Sequence, residues 1–279
     1  MARIGWITME KFENRPKDSV GSSRIRGRWV WKYWDEAEEY QIGQKYDVLI
    51  FQKAYWKTML ESFEGIKIFD LCDPDWLEPR PVFEAISHCQ AVVTSTEALA
   101  EYVRKLVKDK PVVCIPDRID LEAYPEYKKK HEGRAKEVVW FGYAQNQTCL
   151  AKTLPFLKER DLRLTVISNL PYNPSKSPEV GEINNIKYNH ERINEELMKR
   201  DIVLLPEVPG LRGKFKSNNK TLTAWALGLP AAKTPQDLDR FMDAEERTKE
   251  GLKRRKEVET KWDVRESVKE WKELLSKLK

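Results

Sequence analysis

The chain has 279 residues, 41% hydrophobic and 34% charged, with a formal charge of +5, which is enough for a real core and for one large domain or two of ordinary size. Its four cysteines (Cys72, Cys89, Cys114, Cys149) stand far apart with no Cys-x-x-Cys, and its three histidines do not cluster, which excludes a disulfide framework and argues against zinc. No apolar run reaches the length of a bilayer span, so no transmembrane segment is expected and the location read from the sequence is cytoplasmic.

From the amino terminus, short apolar runs alternate with helical patterns, the mark of βα units and parallel sheets. A first series of strands is predicted at 3–8, 48–52, 67–71, 91–94 and 112–116, and a second at 137–142, 163–168, 186–188, 202–206 and 231–232. Residues 120–136, rich in Lys, Glu and Tyr and without apolar period, read as the linker between them. The fold class that results is α/β, with two Rossmann-like domains whose parallel sheets face a cleft. Residues 1–130 form an acceptor-side domain, 131–260 a donor-binding domain, and 261–279 a helix docking back on the first. Charge splits the same way, −1 before Ala135 and +6 from it onward. That fits an anionic ligand in the second half and is too small to require nucleic acid.

In the first half, Gly21-Ser-Ser-Arg24-Ile-Arg26 opens a helix after the first strand. Arg24 and Arg26 can offer bidentate forks to a phosphate; surface charges at a helix start are the plainer alternative. Trp29, Trp31, Tyr33 and Trp34 crowd one short helix, either as packing or as part of an acceptor groove. Asp70-Leu-Cys-Asp73-Pro-Asp75 closes a strand. Its carboxylates invite a metal or a capping role, but no metal requirement is assigned. Of the histidines, His131 is expected to be solvated, His88 to sit on a packed or surface helix, and His190, after the strand at 186–188, to contact a nucleotide base. The Pro-rich loop 171–178 cannot be helix or central strand.

The most informative stretch is Lys214 to Pro230. Ser217, Asn218 and Asn219 are N-cap types, and the first N–H groups of the helix they open have no intrahelical partner, so an anion belongs there. Arg212, Lys214, Lys216 and Lys220 add full charges, and Leu222, Ala226 and Leu229 seat the helix. The plainer alternative is a capped surface helix with solvated lysines.

Three segments of the second half resemble the donor domain of GT-B fold glycosyltransferases, in particular the group similar to retaining family-4 enzymes. They are Val138-Val-Trp-Phe-Gly142-Tyr143, Asp201-Ile-Val-Leu-Leu-Pro206 and Thr223-Ala-Trp-Ala-Leu-Gly228-Leu-Pro230. In the first half, Val92-Val-Thr-Ser95 and Val113-Cys-Ile-Pro116-Asp-Arg-Ile-Asp120 are similar to the passage before that family's linker. The resemblance covers about residues 85–235. It departs at Thr223, where a ribose-holding glutamate is usual, and at Asn146 and Gln147, where a phosphate-binding cation often follows the Gly turn.

The resemblance implies transfer of a sugar, with retention, from a nucleotide-diphosphate sugar bound as substrate, with no permanent cofactor. The acceptor is a glycan or lipid-linked sugar, or a modified base in phage DNA. It places Gly142, Tyr143, His190, Arg212, Lys214, Lys216, Ser217, Asn218, Asn219, Lys220 and Thr223 about the donor. Arg24 and Lys216 are assigned to the leaving diphosphate, and Asp70 to orienting the acceptor hydroxyl or taking its proton. Two alternatives stay open: a binding or assembly module that has lost transfer, and a sugar-nucleotide epimerase of the same architecture.

Overall fold

The computed structural model describes residues 2–124, 129–174 and 183–278. The chain divides into two compact units. The first comprises Met1–Asp120, Phe215–Ser217 and Trp262–Lys279; the second comprises Leu121–Lys214 and Asn218–Lys261.

The first unit is a six-stranded parallel sheet of β1 (Ile4–Thr8), β2 (Ala37–Glu39), β3 (Val48–Gln52), β4 (Ile66–Leu71), β5 (Ala91–Thr94) and β6 (Val112–Cys114), in the order β2-β1-β3-β4-β5-β6. Strands β1, β3 and β5 are buried along their whole length, as expected for parallel strands covered on both faces. Gly5 lets β1 lie close to its neighbour, because a Cβ there would stand 2.8 Å from Leu49 Cδ2. The helix Glu97–Leu106 is capped by Thr96, whose Oγ1 accepts from Leu99 N at 3.2 Å, and it buries Leu99, Ala100 and Val103.

The C-terminal helix Val264–Leu278 buries Val264, Val268, Trp271, Leu274 and Leu275, a stripe at helical spacing. Trp271 meets Trp6 edge-on at 5.0 Å, and Trp6 also contacts Trp31 and Trp34. Trp31 and Trp34 therefore serve as packing residues about Trp6, as the packing alternative expects. Ile119 and Asp263 form a parallel β-bridge, so the chain leaves this unit and returns to it side by side.

The second unit is a five-stranded parallel sheet of β7 (Glu137–Phe141), β8 (Arg163–Ser168), β9 (Asn184–Lys187), β10 (Ile202–Leu204) and β11 (Ala231–Ala232), ordered β11-β10-β7-β8-β9. Helix Asn219–Ala226 buries Leu222, Ala224 and Ala226. Helix Ala244–Lys261 packs against it; Arg255 donates to the Ala226 carbonyl, and Arg254 lies 4.4 Å over the Trp225 ring. His131, expected in solvent, is half-buried with Nε2 3.1 Å from the Gly228 carbonyl. Residues 175–178 of the Pro-rich loop lie outside the described residues.

Both sheets have a point where strand order reverses, at β1/β3 in the first and β7/β10 in the second. In open parallel sheets, ligands bind beyond the carboxyl ends of the strands at such points.

Candidate functional site

At the β7/β10 reversal of the second unit, β7 is followed directly by Gly142, whose φ is +152. A Cβ on Gly142 would run into the Lys220 ammonium and stand 3.0 Å from Lys220 Cε. The missing side chain is thus the space Lys220 occupies. The lysine Nζ lies 4.7 Å from the Trp140 ring centroid and 5.9 Å from that of Phe141, a cation over aromatic faces.

Lys220 is the second residue of its helix, and Asn218 stands at the N-cap without a side-chain capping bond. The first N–H groups of that helix, the helix dipole and a fixed ammonium therefore converge beside a glycine turn, the elements of a phosphate site. Tyr143, next along, is 46% exposed. Thr223 is buried on the second turn of the same helix. Arg212 and Lys214 lie on the short helix Leu211–Lys214 that precedes it.

A cleft of about 390 Å³ opens beside this point at the ends of β8 and β9. Its floor is Ile167, Ile186 and Ile193, and Tyr188, Asn189 and Arg192 are among its polar walls. His190 follows Asn189 and is half-buried, and it is not among the residues lining the cleft.

The stretch expected to form one anion site is divided between the units. Asn218, Asn219 and Lys220 belong to the second unit, whereas Phe215, Lys216 and Ser217 belong to the first. Phe215 is 1% exposed and packs among Trp76 and Tyr102. Lys216 Nζ donates to Asp73 Oδ1 at 2.7 Å, and Ser217 Oγ to Asp117 Oδ2 at 2.6 Å.

These contacts belong to a charge network beyond the carboxyl ends of β1, β3, β4 and β6. A turn of π-helix, Arg24–Arg28, carries Arg26 into it; such turns recur at functional sites. Arg26 holds Asp70 at 2.6 to 2.9 Å and Asp117 at 2.9 Å, and donates to the Ile115 carbonyl at 3.0 Å. Lys53 Nζ reaches Asp73 at 2.8 Å and Asp75 at 3.0 Å, and Tyr55 donates to Asp75 at 2.7 Å. Asp75 opens the 3-10 turn Asp75–Leu77, which has no side-chain capping bond, and neither Asp73 nor Asp75 stands free for a divalent ion, because two ammonium groups already neutralise them.

The carboxylates differ in access. Asp70 is 0% exposed, and burial pushes its pKa up against the pull of Arg26. The Asp73 side chain is 22% exposed. Burial would raise its pKa too, but Lys53 and Lys216 outweigh burial and hold it below the usual carboxylate range. Arg24 is mostly buried, with Nε and Nη1 lacking hydrogen-bond partners and Asp18 at 4.0 Å.

Sequence reasoning passed over Lys53, Asp117 and Trp140. Only Trp140, an aromatic residue before a glycine at a strand end, carried a visible signal.

No family model matches the chain, and no curated relative does. Among solved structures it is similar to Anabaena HepE in complex with UDP, with TM-score 0.65 and 11% identity over 99% of this chain and 100% of that one. It is similar to T4 phage BGT in complex with UDP-glucose, with TM-score 0.62 and 11% identity over 99% of each chain. A weaker likeness, TM-score 0.51 and 10% identity over 83% of this chain and 53% of that one, is to accessory secretory protein 1, 2 and 3 of Streptococcus pneumoniae. The likeness is one of fold, and the fold is GT-B.

Proposed function

We propose that this GT-B chain is a glycosyltransferase that moves a sugar from a nucleoside-diphosphate sugar to a hydroxyl of a glycan or lipid-linked acceptor. The observation that carries this reading is Lys220, set over Trp140 in the space left by Gly142 at the head of an uncapped helix. As the bond from the sugar's anomeric carbon to the diphosphate breaks, charge grows on the leaving oxygen. Fixed donors at that helix end stabilise it without having to reorganise. The cleft at the ends of β8 and β9 is of a size and polarity suited to the nucleoside.

The first unit is assigned the acceptor. The new bond forms between the acceptor oxygen and the anomeric carbon as the bond to the diphosphate oxygen breaks, and the hydroxyl proton passes to that departing oxygen. Asp70, enclosed by Arg26, is assigned a positioning role, and Asp73, the carboxylate of the same strand end that meets solvent, orients the hydroxyl. Arg24 is the candidate contact for an oxyanion carried by the acceptor. The first unit holds 24 basic and 24 acidic residues, so the whole +5 resides in the second. A neutral acceptor side favours a glycan over duplex DNA, whose binding rests on phosphate neutralisation. Retention of anomeric configuration goes with this reading through the sequence resemblance alone, and proton NMR of the product reads it.

A thermal-shift screen against UDP, GDP, ADP, CDP and dTDP tests the donor site, because a ligand of the folded state raises Tm. Release of that diphosphate from its sugar ester in the presence of acceptor glycans tests transfer. If no nucleotide shifts wild type, the donor reading fails.

A second reading, a nucleotide-sugar binding module without turnover, is favoured by the full enclosure of Asp70 and by the likeness to an accessory secretory protein. It expects nucleotide binding with no release from any sugar donor. An epimerase would convert the donor without acceptor.

A further inference from the structure

We infer that Asn146 and Asn219 read the sugar of the donor through one of its free hydroxyls; the inference rests on the donor reading above. Asn146 lies four residues after Gly142, in the 3-10 turn Ala144–Cys149, and is 5% exposed. Its Oδ1 is buried without a hydrogen-bond partner. Asn219 opens the helix immediately before Lys220, and its Nδ2 is also buried without a partner. Folded proteins hold few such groups, because each has given up water for nothing in return.

The neighbouring amides are satisfied. Gln147 Nε2 donates to the Leu170 carbonyl at 2.9 Å, and Asn169 Oδ1 accepts from Ala144 N at 2.8 Å. The two orphans are therefore not a general looseness of this loop. One is an acceptor and the other a donor, and both lie within four residues of the Gly142–Lys220 contact.

That pair of demands selects among ligands. A diphosphate ionised at neutral pH accepts hydrogen bonds but gives none, so it satisfies Asn219 and leaves Asn146 unmet. A sugar hydroxyl both gives and accepts. Asn146, standing where a phosphate-binding cation often follows the Gly turn, thus serves the sugar, while Lys220 serves the phosphate.

Calorimetric titration of the full chain tests this with UDP and UDP-glucose, or with the corresponding pair of another base if the screen selects one. Asn146→Ala should weaken UDP-glucose about tenfold and leave UDP within about twofold. Asn146→Asp keeps shape and an accepting oxygen, so it should preserve the wild-type ratio of UDP-glucose to UDP affinity.

Equal loss of UDP and UDP-glucose in Asn146→Ala, which leaves the ratio of the two affinities at its wild-type value, would overturn the inference. Failure of every nucleotide to bind wild type would sink the donor reading itself, and this inference with it.

Discussion

Lys216 gives its ammonium to Asp73 at 2.7 Å, so two lysines only four positions apart in sequence, Lys216 and Lys220, serve different units of the fold. Their substitutions should therefore separate. Lys220→Ala is expected to weaken a nucleoside diphosphate by about tenfold or more, the worth of a charge-assisted hydrogen bond. Lys216→Ala should leave that affinity within about threefold while lowering the rate of transfer. Titration calorimetry with UDP and initial rates with acceptor give the comparison, and equal losses of UDP affinity would refute it.

Gly142 should tolerate no side chain. Gly142→Ala places a Cβ against Lys220 and an L-residue at a φ of +152. A loss of about 1–3 kcal/mol is expected, with nucleotide affinity falling at least as far as in Lys220→Ala. Urea denaturation followed by titration of the variant measures both.

Removing one partner of the buried Arg26–Asp70 pair should cost more than removing both. Arg26→Met leaves Asp70 and Asp117 uncompensated out of water, a loss of about 3–5 kcal/mol. Asp70→Leu added to Arg26→Met should recover part of that loss. A double-mutant cycle by chemical denaturation tests the expected non-additivity.

Acid should destabilise the protein partly through Asp73. Its folded pKa lies below its unfolded value because Lys53 and Lys216 outweigh burial. It therefore contributes stability that is complete above the unfolded value, about 3.9, and is lost as pH falls toward the folded one. Asp70 and Asp75, whose pKa values are raised, act in the opposite sense and are relieved by protonation. Asp73→Asn should be less stable than wild type at pH 7, with the gap narrowing below about pH 4; Tm against pH would show parallel curves if Asp73 has no such role.

The strands were legible because parallel strands buried on both faces are written as unbroken apolar runs. Val48–Gln52, Ala91–Thr94 and Arg163–Ser168 fall where the sequence places them. Ala37–Glu39 was missed because a three-residue edge strand with two glutamates carries no such run. The basic, amide-rich character of the loop before Asn219 was legible in its residue types. Its division between units was not, because what holds Lys216 and Ser217 is Asp73 and Asp117, far away in sequence. Phe215, a lone aromatic residue between two lysines, was the local sign that this strand of loop is buried. The enclosure of Asp70 was equally hidden, since it depends on Arg26 arriving from a π-helical turn.

The β-bridge between Ile119 and Asp263 makes the second unit an insertion whose two ends are already adjacent. A chain joining Asp120 directly to Trp262 would keep the six-stranded sheet and its C-terminal helix, lacking only three residues of its own, Phe215–Ser217. It would fold around a hole shaped for one aromatic ring beside Trp76 and Tyr102, with Asp73 and Asp117 waiting at its rim. The first unit thus treats the tripeptide Phe-Lys-Ser as a receptor treats a peptide ligand, one that the intact chain supplies to itself.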